Sequence, residues 1–262
     1  MDVAMKRLSD HLSRKSVGAI ASLEHGFGRV LLFWSIIAAF IGGLRISFAV
    51  SPITDAATFL QTVLPYALVV ISPIAAWFLC DSIFRRGTLY QQPQIRLSLY
   101  GKWQPVTCLD ARAHPLFGPT GVMASLVIGM LLNVPVRSLE FLAAVPAMNG
   151  NAPVWGQVIF TAMTADVVIM NFLYVTAFVM ALRNVPWFPR LLLVVWGVDI
   201  TSQLMIAQWV GSVEGLPHAV GNAIAALLNG NIQKVMISMT VWLPYLILSE
   251  RVNLTYRSRI AR

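Results

Sequence analysis

Six apolar runs dominate this sequence, each close to the roughly 20 residues a helix needs to cross the hydrocarbon layer of a bilayer. They occupy residues 30–50, 59–83, 121–145, 154–182, 191–213 and 232–249. In lipid an unpartnered backbone N–H or C=O is costly, so a run of this length has one viable conformation, the α-helix. The sequence therefore predicts an all-α, polytopic membrane helix bundle of about six transmembrane helices. Composition agrees: the chain is 57% hydrophobic and 11% charged, against about 25% charged residues in a soluble domain.

The charges between the runs alternate. Lys6, Arg7, Arg14, Lys15 and Arg29 precede the first run, and the next connection holds Asp55 with no Lys or Arg. The connection after it carries Arg85, Arg86, Arg96, Lys102 and Arg112, and the following one, residues 146–153, carries no charge. Arg183 and Arg190 come next, then Glu214 without a cation, then Arg251, Arg257, Arg259 and Arg262 in the tail. Lys and Arg favour the cytoplasmic side of a membrane. Every connection fits one orientation, with both termini cytoplasmic, and an odd number of spans would break the pattern. The expected location is a cell (inner) membrane. The net charge of +8 is thus a topology signal. No basic stripe interleaved with aromatics suggests a nucleic-acid partner; the expected partners are the lipid bilayer and either another membrane protein or a second copy.

The expected organisation follows these boundaries: a basic cytoplasmic segment (1–29), a two-helix addition (30–83), a cytoplasmic loop (84–118), a four-helix membrane domain (119–250) and a basic tail (251–262). The first run begins late for a cleaved signal peptide, so the N-terminus is expected to be retained. Met5, Leu8 and Leu12 recur at helical spacing beside Lys6, Arg14 and Lys15; they read as a basic amphipathic helix on the inner leaflet or as a solvated tail. Residues 219–228 are apolar but too short to span, and read as an interfacial helix or an extension of the last span. Tyr90, Tyr100 and Trp103 in the long loop suit the headgroup level or a docked partner. Ser35, Ala39 and Gly43, and Gly121, Ser125 and Gly129, repeat every four residues and allow close helix approach. Pro65, Pro73, Pro135 and Pro244 fall in or near spans, where each removes a helix hydrogen bond. Cys80 and Cys108 form no C-x-x-C pair and fall near cytoplasmic segments, where thiols stay reduced.

The last span reads Val241-Trp242-Leu243-Pro244-Tyr245, then Ser249-Glu250-Arg251-Val252 and Thr255-Tyr256. This resembles the W-x-P-Y, S-x-R-V and T-Y signature that closes an uncharacterised bacterial inner-membrane family, domain-of-unknown-function family 2569. Leu126-Val127-Ile128-Gly129 with Pro135-Val136-Arg137, Arg183 through Trp187-Phe188-Pro189, and Lys234 are similar to other pieces of that family in the same order. The resemblance covers roughly residues 117–259, four of the six spans. It implies a four-helix membrane domain and no assigned activity. Read from the residues alone, Trp242 and Tyr245 are interfacial rings and Arg251 begins a cytoplasmic anchor.

No dinucleotide fingerprint, phosphate loop, zincin motif or nucleophile elbow occurs. His11, His25, His114 and His218 are scattered without metal-ligand spacing. The sequence therefore names no catalytic, cofactor-binding or metal residue. Asn253-Leu254-Thr255 matches a glycosylation sequon, but on the expected cytoplasmic side. What remains is ionisable residues inside spans, which are costly in lipid and usually face the bundle interior or water. Arg45, Arg137 and Glu140 fall near outer helix ends and read as interfacial anchors, with Arg137 and Glu140 spaced to pair on one face. Asp166 and Asp199 lie deeper, about 10 residues or 15 Å into their spans at helical rise. With Asn171, Gln203 and Lys234 they form a possible intramembrane polar site; the two aspartates are expected to face the interior on neighbouring helices, and Gln208 adds another polar group. Lys234 is expected to snorkel to water.

Two functions fit. One is a non-enzymatic accessory or assembly protein. The other is a small-solute or proton-coupled transporter using Asp166 and Asp199. A deep cavity reaching both aspartates favours transport, and a tight bundle with an exposed apolar seam favours a partner role.

Overall fold

The computed structural model describes residues 2–93 and 101–262, with side chains from Lys15 onward; Tyr100 and the Met5, Leu8 and Leu12 side chains lie outside this description. The helices are α1 (Asp2–Ser47), α2 (Ala56–Ile83), α3 (Cys108–Ala113), α4 (Val122–Ala144), α5 (Val154–Leu182), α6 (Phe188–Gly211), α7 (His218–Leu248) and α8 (Glu250–Arg257). Two short strands, β1 (Trp103–Pro105) and β2 (Arg259–Ala261), complete the order. Among the described residues, five helices are long and apolar enough to cross a membrane. A sixth, α7, qualifies only together with α8, from which it is bent by 71°. The chain is a multi-pass membrane protein with an all-α bundle.

Helix boundaries follow local chemistry. Asp55 caps α2 through a reciprocal box: its carboxylate accepts from the Thr58 amide at 2.8 Å, and Thr58 Oγ1 accepts from the Asp55 amide at 3.1 Å. Such boxes satisfy orphan donors of the first turn. No proline occurs before Pro52, so the basic N-terminal segment and the first span run on as one 46-residue helix. The start near residue 30 marks only where the chain turns apolar. The same holds for the last span, which begins at His218 behind Pro217 and runs 31 residues; residues 219–228 are its extension. Gly121, at φ +66, takes a conformation that side-chain-bearing residues rarely adopt and starts α4.

The most deeply buried span is α5. It packs against α2, α4 and α6; α1 lies on α2 and α4, and α7 lies on α6. The apolar core falls into two clusters. One gathers Phe27, Trp77, Met123, Val134, Met170, Phe178 and Trp196 toward the end carrying the basic connections. The other gathers Tyr66, Phe141, Phe160, Met163, Ile206 and Leu228 toward the opposite end. On α4, α6 and α7 the chain passes from one cluster to the other through Arg137, Asp199 and Asn231, so a polar layer divides the core. The outward faces of the helices, such as Leu32, Phe33, Ile36 and Phe40 on α1, are apolar and exposed, as lipid requires.

At the basic end the long loop and the tail close on each other. β1 and β2 pair antiparallel, with Gln104 opposite Ile260. Tyr256 donates to the Ala181 carbonyl at 2.9 Å, and Arg251 donates to Leu116 O at 3.0 Å and Thr120 Oγ1 at 2.6 Å. Trp103, read as a headgroup-level ring, sits in β1.

Candidate functional site

The polar layer is built around Arg137. Its Nη1 donates to Asp166 Oδ2 at 3.0 Å and its Nη2 to Asp199 Oδ1 at 2.5 Å. The three residues come from α4, α5 and α6. Arg137 is 15 residues into α4, Asp166 12 into α5 and Asp199 11 into α6, which puts each some 16–23 Å from its helix start at about 1.5 Å per residue. The side chains are 6%, 1% and 0% exposed. This places both aspartates in the interior, on helices that pack together.

All four carboxylate oxygens have donors. Asp166 Oδ1 accepts from Ser202 Oγ at 2.7 Å and Gln203 Nε2 at 2.9 Å, and Asp199 Oδ2 accepts from the Tyr174 hydroxyl at 2.9 Å. Gln203 accepts in turn from Asn231 on α7 at 3.2 Å, and Asn231 Oδ1 lies 3.5 Å from Lys234 Nζ. The bonded chain therefore runs from Asp199 through Arg137, Asp166, Gln203 and Asn231 to Lys234, across four helices. A donor on every carboxylate oxygen is what lets these charges stay buried. Asn171 joins at the margin, donating to Ser138 Oγ at 2.8 Å, and its Oδ1 has no partner. Gln208 is exposed and takes no part.

Two expectations are corrected. Arg137 is not an interfacial anchor paired with Glu140. It turns inward to the two aspartates, and Glu140 instead forms an ion pair with Lys234. The reason is that two buried carboxylates on other helices offer a guanidinium more than one neighbour on its own surface. Lys234, expected to reach water, has a half-exposed side chain and does so in company with Glu140. Arg45 keeps an anchoring role of another kind, donating to the Leu142 and Ala143 carbonyls that α4 leaves open at its end.

A recess of about 220 Å³ opens between α4 and α7 beside this centre. Gly129, Leu132, Asn133, Val136, Arg137, Glu140, Asn231, Lys234 and Val235 line it. The Lys234–Glu140 pair stands at its exposed rim and Arg137 at its buried wall. Neither aspartate lines it, whereas Arg137, which holds both, does. One guanidinium against two carboxylates leaves a formal charge of −1, which suits binding that brings in a compensating proton or cation.

No family model, curated protein or solved structure matches this chain.

The C-terminal motif lies apart from the charged layer. Trp242 and Tyr245 meet edge to face at 5.8 Å, and Pro244 is inside α7. Ser249 marks the bend into α8, where Asn253 Nδ2 donates to Ile247 O at 3.1 Å and to Ser249 O at 3.0 Å. Val252 is buried under the bundle. The sequon asparagine is thus a buried part of the bend. Among the described residues no three His, Cys, Asp or Glu side chains form a metal-binding group.

Sequence reasoning missed Arg137 as the centre, and Tyr174, Ser202 and Asn231 as partners. One signal was present. Asp199, Ser202 and Gln203 recur at i, i+3 and i+4, a polar stripe on a helix that is otherwise apolar there.

Proposed function

We propose that this protein is a small proton-coupled solute carrier of a cell inner membrane, with both termini cytoplasmic and its working centre at Arg137, Asp166 and Asp199. The observation that carries the reading is that Arg137 belongs at once to a buried ion network and to the wall of an open recess. Intramembrane charges held this way are functional candidates by default. The alternating loop charges support the orientation, and reporters fused after Glu250 and within residues 84–118 are expected to read cytoplasmic. The order of residue pieces over 117–259 supports kinship with domain-of-unknown-function family 2569.

The test is reconstitution into liposomes holding a pH-sensitive dye, with small carboxylates, amines and neutral polar solutes added in turn. Solute-dependent proton movement that Gly129→Leu abolishes supports a carrier. Gly129 lines the recess, and a Cβ added there meets no heavy atom within 4 Å, so a side chain at this position starts out into open space.

A second reading, a non-enzymatic accessory or assembly protein, is favoured because the recess reaches neither aspartate, where a cavity reaching both was expected of a transporter. It predicts no flux from any solute class and a membrane-protein partner retained on purification from native membranes.

A further inference from the structure

Resting on the carrier reading, the geometry points to a substrate class: we propose that the recess between α4 and α7 binds a short-chain monocarboxylate through Arg137, and that Asp199 takes up one proton when the ligand carboxylate replaces it on the guanidinium. Three features select this ligand. The recess offers two cations, Arg137 at its wall and Lys234 at its rim, with Asn133 and Asn231 as further polar groups. Of the rest of the lining, Glu140 is already paired with Lys234, and Leu132, Val136, Val235 and Gly129 are apolar and suit a short aliphatic tail. At about 220 Å³ it is below the usual range of about 300–1,000 Å³ for drug-sized ligands.

The proton follows from charge balance. The centre starts with one positive and two negative groups. A third negative group in a water-poor interior is unfavourable unless a positive charge arrives with it. An arginine fork recognises a carboxylate well, so the ligand can take the place of one aspartate, and that aspartate is neutralised by a proton from solvent. The net charge stays at −1: one anion and one proton enter together and no covalent bond changes except the new O–H. Asp166 keeps Ser202 and Gln203 without Arg137, whereas Asp199 keeps only Tyr174, which makes Asp199 the acceptor. The titratable and charged groups around it are Arg137 and Glu140 on α4, Asp166 and Tyr174 on α5 and Lys234 on α7.

The test is calorimetric titration of the detergent-purified protein with butyrate, decanoate, propane-1-sulfonate, butyramide and butylammonium at pH 5.5 and 7.5. Butyrate and the sulfonate are expected to bind, each more tightly at the lower pH, up to about tenfold per pH unit for one linked proton. The sulfonate stays ionised throughout, so its slope reports a proton on the protein. Gly129→Leu should abolish binding. Asp199→Asn, a neutral mimic of the protonated residue, should bind at both pH values as the wild type does at pH 5.5. Glu140→Gln at the rim should keep the slope. Anion binding without a slope, or a slope that survives Asp199→Asn or vanishes in Glu140→Gln, overturns the proton assignment. Tighter binding of decanoate than of butyrate makes the occupant a membrane-borne fatty acid and overturns the short-chain assignment. Butylammonium binding in place of butyrate overturns the anion assignment and leaves the carrier reading standing. If no probe binds and Gly129→Leu matches the wild type in liposome flux, both fall.

Discussion

Two arginines in this protein do the same thing in different solvents. Arg137 holds Asp166 and Asp199 from two other helices, with side chains 6%, 1% and 0% exposed. Arg183, which caps the end of α5 and is itself 3% exposed, holds Glu24 of α1 and Asp81 of α2, whose side chains are 26% and 47% exposed. Each is one guanidinium clasping two carboxylates. Around Arg137 the carboxylate oxygens depend on protein donors, whereas Glu24 and Asp81 around Arg183 also reach water. Losing Arg137 from the inner clasp would leave two uncompensated carboxylates in a dry place. The outer one ties the first two helices to the end of α5, where the helix dipole also favours a cation; Arg183 itself is buried, but its two carboxylates reach solvent. The position of a charge triad in the bundle, more than its composition, decides what it can do.

The largest effect expected from this contrast is at Arg137. Arg137→Gln leaves two buried carboxylates facing each other and should cost about 3–5 kcal/mol of stability, the usual range for breaking a buried ion pair. Unfolding of the detergent-solubilised protein measures it. Arg183→Gln should cost less, about 1–3 kcal/mol, because Arg183 is buried but both of its carboxylates can be solvated once it is gone. Salt sharpens the comparison. Raising ionic strength from about 0.01 to 1 M shortens the screening length from about 30 to 3 Å, so the Arg183 effect should shrink while the Arg137 effect holds. Equal salt sensitivity would remove the distinction.

The smallest effect belongs to a carboxylate with no arginine. Hydrogen bonds from the Thr58 amide and hydroxyl hold Asp55 below the usual carboxylate range. A carboxyl with a depressed folded-state pKa adds stability that is present above its unfolded value and lost as pH falls through the folded one. Hydrogen exchange at the Thr58 amide should therefore lose its protection only below the ordinary carboxylate range, and Asp55→Asn should lose that pH dependence.

The spans were legible because the bilayer imposes one length and one conformation. Their ends were less so: α1 and α7 continue well past the apolar stretch, since nothing breaks a helix before Pro52 or between Pro217 and Pro244. Asp166 and Asp199 were legible as unusual, since a carboxylate deep in an apolar run is itself a signal. Arg137 was not, because its apparent partner Glu140 sits three residues away, and the pairings that decide its role join residues 29 and 62 positions apart in sequence. Pairing across helices depends on which faces meet, and a single sequence does not encode that locally. The β1–β2 pairing was hidden for the same reason: three residues a side, Trp103–Pro105 from the long loop and Arg259–Ala261 from the tail.

The claim that Arg137 and Asp199 act as one unit is tested most directly by a double-mutant cycle on unfolding stability, using Arg137→Gln, Asp199→Asn and the pair. Coupled neighbours show interaction energies of about 0.5–3 kcal/mol, and this buried pair should fall in the upper part of that range, about 2 kcal/mol, with the double variant more stable than additivity allows. Strict additivity of the two single changes would contradict it.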